Sequence, residues 1–177
     1  MTELQETLIK VGEFCSRTQF LKPIKSVSPG ALEVKSSLMR AIELIKGSLP
    51  EETLLNLDFY YSKGAIFYPK VPWISIITSG NLPKKNLSTT ICFARNGEGL
   101  VCGVLLPSMR PLDYGTINRT TSSKFIDVNG TNTPTKYNNN FVNPVDIYFS
   151  EFSEEKLKGH IVQSIALINF LESSQEM

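Results

Sequence analysis

The chain has one histidine, one tryptophan and three cysteines, and each scarcity narrows what it can do. Cys15, Cys92 and Cys102 form no CxxC pair and His160 stands alone, so the spacing offers no zinc-binding set. Buried, reduced thiols are the expected state of all three. There is no GxxxxGK[ST] loop, no GxGxxG after a strand, and no histidine near a candidate nucleophile. The familiar nucleotide-binding and hydrolytic signatures are therefore missing. No apolar run approaches the roughly 18 residues of a membrane span. The N-terminal MTELQETLIKVGEF is acidic and amphipathic, unlike a signal peptide. These absences lead us to expect a cytoplasmic protein with no metal, no cofactor and no membrane partner.

What is present fits one domain: 177 residues, 41% of them hydrophobic, suffice to bury a core. The formal net charge of +1 conceals an uneven distribution. Between Tyr60 and Asn140 nine cations face three anions, whereas the remainder carries nine cations and fourteen anions. A basic middle is what contact with a polyanion requires, although solvated lysines on a strand-rich half would look the same.

Thr2 and Gln5 are spaced as a capping box ahead of Leu4, Leu8, Val11 and Cys15, which predicts a helix to Ser16. Ser28 as N-cap and Pro29 at the first helical position open a second helix on Val34, Leu38, Ile42 and Ile45, stopped by Gly47. From about Leu55 to Tyr148 the period shortens. LNLDFYY, VPWISIIT, STTICFAR, GLVCGVLL and KFIDV read as strands, with a hairpin loop at Asn96-Gly97-Glu98-Gly99. A long stretch rich in Asn, Thr and Ser follows, of the kind that is functional or disordered in compact domains. Ser153 then caps a terminal helix with Leu157, Ile161, Ile165, Ile168 and Leu171 in one stripe and His160 beside it as a structural residue. The expected fold is α+β, a mixed, largely antiparallel sheet flanked by N-terminal and C-terminal helices. Residues 1–48 form a helical leader packed on the same domain, and residues 49–177 the sheet core with its C-terminal helix.

Catalytic chemistry has one weak foothold. Glu154-Glu155-Lys156 with Asp146 upstream has the residue types of a metal-dependent nuclease, but such carboxylates would converge from strands rather than begin a helix. Glu33-Val34-Lys35 lacks even an acidic partner. A binding module, not an enzyme, is the expectation.

SKGAIFYPKVPWISII, the spacing onward to LSTTICFARNGEGLVCGVLL, and the later PTKYNNNF carry a resemblance. Together, over roughly Tyr61 to Phe141, they resemble the N-terminal DNA-binding domain of McrB, the GTP-dependent subunit of a modified-cytosine restriction system. The resemblance implies a partner, double-stranded DNA containing 5-methyl- or 5-hydroxymethylcytosine after a purine, and a mechanism in which that base is flipped into a pocket. By position the pocket residues would be Trp73, Ser88, Cys92 and Tyr137. Where the family has a tyrosine and a bulky aliphatic, this chain has Ser88 and Cys92, so the pocket is expected to be wider and more polar. The family's Gly-x-Gly loop is replaced by Gly64-Ala65-Ile66, leaving Ile66 or Phe67 as an apolar wedge for the vacated stack. Lys63, Lys70, Lys84, Lys85, Lys136 and Asn138 would meet phosphates. The resemblance places GTPase and nuclease functions on other domains of a longer parent chain or on other subunits. The alternative is a protein-interaction or adaptor domain of a defence assembly that flips no base.

Overall fold

Five strands lie side by side in the order in which the chain makes them: β1 (Leu57–Tyr61), β2 (Trp73–Thr78), β3 (Ser88–Phe93), β4 (Gly99–Leu105) and β5 (Phe141–Tyr148). Every neighbouring pair is antiparallel. Helices α1 (Glu3–Thr18), α2 (Pro29–Lys46) and the single turn α3 (Glu51–Leu54) precede the sheet. A short 3-10 turn (Phe149–Glu151) and α4 (Glu154–Gln175) follow it. This computed structural model describes residues 1–107, 126–128 and 141–175. It is the expected α+β fold, with the sheet antiparallel throughout. The fifth strand is Phe141–Tyr148, which the sequence reading did not single out, whereas Ile126–Val128 of the expected KFIDV strand form no strand; the α3 and 3-10 turns were not expected either.

The helices start where their caps dictate. Thr2 Oγ1 accepts from the Gln5 amide at 3.2 Å, Ser28 Oγ from Ala31 at 3.4 Å, and Ser153 Oγ from Lys156 at 3.2 Å. Each satisfies an amide that the first helical turn leaves without a partner. All three long helices turn their apolar stripes to the same face of the sheet. Leu8 and Val11 of α1, Leu38 and Ile42 of α2, and Leu157 and Ile161 of α4 share one core with Ile74, Ile76, Ile91, Phe93, Leu100 and Ile147. Burying each such side chain contributes about 1.5–3 kcal/mol. Farther along, Ile168 of α4 closes over Leu87, Val104 and Val142.

Two glycines let α1 approach the sheet. Gly97, at the turn of the β3–β4 hairpin, has φ 77°, and a Cβ there would run into the Gly12 carbonyl oxygen of α1. A Cβ on Gly12 would in turn strike the Phe149 ring and lie 3.1 Å from the Gly97 oxygen. The hairpin is also tied to the end of α1 through Arg95, whose Nε donates to the Gln19 carbonyl at 3.1 Å. On the far edge, His160 Nε2 donates to the Asn143 carbonyl at 2.8 Å. Asn143 has φ 49° and lies where the β4–β5 register slips, so the histidine braces a bulge.

Gly97→Ala should lower unfolding stability by at least about 2 kcal/mol in urea titrations, since it combines a strained φ with a backbone clash. A loss below about 0.5 kcal/mol would contradict the close approach. Burial pushes the Cys15 and Cys102 thiols from the ordinary 9.0 up to about 12. The folded chain therefore keeps protons that the unfolded chain releases, so stability should be full below pH 9 and fall as pH rises toward 12. Urea midpoints at neutral pH and at about pH 10 test this, and Cys15→Ala with Cys102→Ala should flatten the difference.

Candidate nucleic-acid interface

Because strand side chains alternate, the residues between those that meet the helices point the other way. Trp73 and Ser75 on β2, Ser88, Thr90 and Cys92 on β3, and Val101, Gly103 and Leu105 on β4 share this second face, paired as Trp73 with Cys92, Ser75 with Thr90 and Thr90 with Gly103. The two faces differ in kind. Where the helix side uses isoleucine and phenylalanine, the second face is centred on a chain of buried hydroxyls. Thr90 Oγ1 lies 2.8 Å from Ser75 Oγ and 2.8 Å from Ser88 Oγ. Two bonds among three hydroxyls use two donors, which leaves one O–H and several lone pairs uncommitted among the described residues.

Trp73 enters this face at a fixed point. Its amide donates to Ser62 Oγ at 3.1 Å and its carbonyl accepts from the Ser62 amide at 3.0 Å. Ser62 Oγ in turn shares a 3.0 Å bond with the Tyr68 hydroxyl. Pro72 just before it needs no amide partner, and its carbonyl accepts from Phe93 at 3.0 Å. Tyr68 is buried against Phe14 of α1, ring edge to face at 5.7 Å. Burial raises the phenol's pKa, partly offset by the Ser62 bond, so the hydroxyl stays neutral and serves as a structural pin. The tryptophan's position is thus dictated by the β1–β2 connection, which closes on itself through Ser62 and on the leader through Tyr68.

The predicted pocket residues are only partly brought together. Trp73 and Cys92 are direct cross-strand partners, and Cys92 is fully buried among Val71, Ala94, Val101, Ile126 and Val128. Ser88 lies four residues farther along β3, about 13 Å away at the usual strand rise. Through the Thr90 hydroxyl it is linked to Ser75. Tyr137, Lys136 and Asn138 lie outside the described residues. Ile66 and Phe67, the proposed wedge, are 73% and 52% exposed at the tip of the β1–β2 connection. Lys63 and Lys70 are exposed in that same connection, whereas Lys84 and Lys85 are exposed in the β2–β3 connection at the other end of β2. The six residues of β2 separate the two pairs by about 20 Å.

The nuclease-like fragment does not assemble. Asp146 accepts from the Ile126 amide at 3.1 Å, Glu154 pairs with Lys158, and Glu155 is exposed. No cluster of three or more potential metal ligands occurs among the described residues. No helix among them is long and apolar enough to cross a membrane. Neither protein-family models nor curated proteins nor solved structures yield a match to this chain.

Sequence reasoning missed Ser75 and Thr90, although the pattern held a signal: WISIIT sets a serine between isoleucines and STTICF opens on three consecutive hydroxyl residues. Thr89 and Thr90 test the two faces against each other. Thr89 Oγ1, on the helix side, is buried without a partner, so Thr89→Val should be neutral or stabilising by up to about 1 kcal/mol. Thr90→Val strips both bonds from Ser75 and Ser88 and should cost about 1–3 kcal/mol. Urea unfolding of the two variants checks this, and equal effects would refute the distinction.

Proposed function

We propose that this chain is a DNA-binding specificity module that reads a methylated or hydroxymethylated cytosine, preceded by a purine, after the base has been flipped out of duplex DNA. The module targets a GTP-dependent restriction complex and catalyses nothing itself. GTP hydrolysis and strand cutting belong to other domains or subunits.

The β1–β2 connection is the observation that carries this reading. Both of its ends are fixed, by Ser62 to Trp73 and by Tyr68 to the leader, while its tip holds exposed Ile66 and Phe67 between exposed Lys63 and Lys70. A rigid loop with an apolar tip and flanking cations suits a duplex that must be opened. Turning a base out costs a few kcal/mol, offset when an apolar side chain fills the vacated stack and the base finds new stacking partners. Trp73, at the exit of the same loop, supplies such a face, worth about 1–3 kcal/mol, and Tyr137 is the proposed second one. Beyond Trp73 lie the hydroxyls of Ser75, Thr90 and Ser88, which suit the polar edge of a pyrimidine better than an aliphatic floor would. The resemblance to the McrB DNA-binding domain over the same residues supports the reading independently of this geometry.

Fluorescence polarisation with matched duplexes carrying cytosine, 5-methylcytosine or 5-hydroxymethylcytosine after a purine provides the test. A preference of about tenfold or more for one modified duplex is expected, reduced to parity by Trp73→Ala. Ile66→Ala with Phe67→Ala should weaken modified and unmodified binding unequally, because only the flipped complex uses the wedge. Equal binding to all three duplexes would refute base reading, and no duplex binding would favour the adaptor alternative.

A further inference from the structure

The α1–α2 connection, residues 19–28, is fastened to the β1–β2 connection as though it were another strand. Lys25 and Phe67 form an antiparallel bridge, the Ser26 amide donates to the Ile66 carbonyl at 3.0 Å, and the Tyr68 amide donates to Ile24 at 2.8 Å. Ser26 Oγ also donates to the Ala65 carbonyl. Lys35 of α2 secures the arrangement from behind, its Nζ donating to the Ser26 carbonyl at 2.7 Å and lying 5.9 Å from the centre of the Tyr68 ring. These bonds join the two connections along one seam.

Their charge is of one sign. Residues 14–32 contain Arg17, Lys22 and Lys25 and no Asp or Glu, and residues 59–97 contain five cations and no Asp or Glu. Arg40 and Lys158 are neutralised by Glu3, Glu43 and Glu154, but Lys22, Lys25, Lys63 and Lys70 are exposed and have no ion-pair partner among the described residues. Lys22 and Lys70 both line a notch between the connections, with Phe14, Thr18, Ile24 and Tyr68 among its other walls. Beside it, Phe20 and Val27 are exposed like Ile66 and Phe67.

We infer that the α1–α2 connection is the second half of the duplex-contact surface, with Lys22 and Lys25 holding backbone phosphates alongside Lys63 and Lys70. This rests on the DNA-reading function proposed above and extends it to the leader. Apolar side chains alone would serve a protein partner as well. The occupant follows instead from four exposed lysines on two bonded connections, none with a carboxylate partner among the described residues, and two of them lining one notch. Phosphate contacts of this kind carry affinity and register but no base identity.

The test is a salt titration of duplex binding by the full chain, with modified and unmodified duplexes and the variants Lys22→Ala/Lys25→Ala and Lys22→Glu/Lys25→Glu. The alanine pair should weaken both duplexes equally, by roughly tenfold or more at low salt, and reduce the slope of log K against log salt by about one per lysine. The modified-to-unmodified ratio should stay constant, and the glutamate pair should weaken binding further. If the chain binds duplex but the variants leave slope and affinity unchanged, the inference fails and base reading stands. Binding of the chain to no duplex overturns both. Binding to phosphatidylserine vesicles in preference to duplex overturns the assignment of this surface to DNA.

Discussion

Three amphipathic helices bury their stripes on the same face of one antiparallel sheet, and the rest of the molecule follows from that one-sidedness. A strand presents alternate side chains to opposite faces, so assigning Ile74, Ile76, Ile91 and Phe93 to the helices assigns Trp73, Ser75, Thr90 and Cys92 to the other side. A register slip of one residue would exchange the two sets and bring hydroxyls against α1, α2 and α4. The core thereby fixes the register, and the register fixes the candidate site. The glycine contact between Gly12 and Gly97 belongs to the same constraint, because α1 can cover the sheet only where helix backbone and hairpin backbone nearly touch.

The β1–β2 connection links that core to the surface. It gives up conformational freedom at Ser62, Tyr68 and Trp73, and through Ser26 and Ile24 it is bonded to the leader as well. What remains exposed is the tip from Lys63 to Phe67, together with Lys70. Rigid anchoring of an apolar tip reduces the entropy lost when it meets a partner. It also explains why the leader is inseparable from the proposed reader: removing residues 19–28 would strip the loop of half its backbone bonds as well as two lysines.

The lysines show how far linear proximity misleads. Lys63, Lys70, Lys84 and Lys85 fall within 23 positions of one another, yet they stand at two ends of β2. Lys22 and Lys25 are about 40 positions away from Lys63 and Lys70 in sequence and join them on one surface. Among the described residues the lysines of the basic middle thus fall into two patches in space, and the one beside Trp73 draws part of its charge from the leader.

By itself the sequence determined the three long helices and the first four strands. Caps at Thr2, Ser28 and Ser153, apolar stripes at helical spacing, and alternation in the strands are local signals, and local hydrogen bonding and burial obey them. The α+β class and the structural role of His160 were legible for the same reason. The proximity of Trp73 to Cys92, the hydroxyl chain through Ser75, Thr90 and Ser88, and the seam between residues 24–26 and 66–68 were not. Each depends on which strand pairs with which and at what register, and on which face the helices occupy. Those choices are made by non-local burial, which no short stretch of the chain encodes alone.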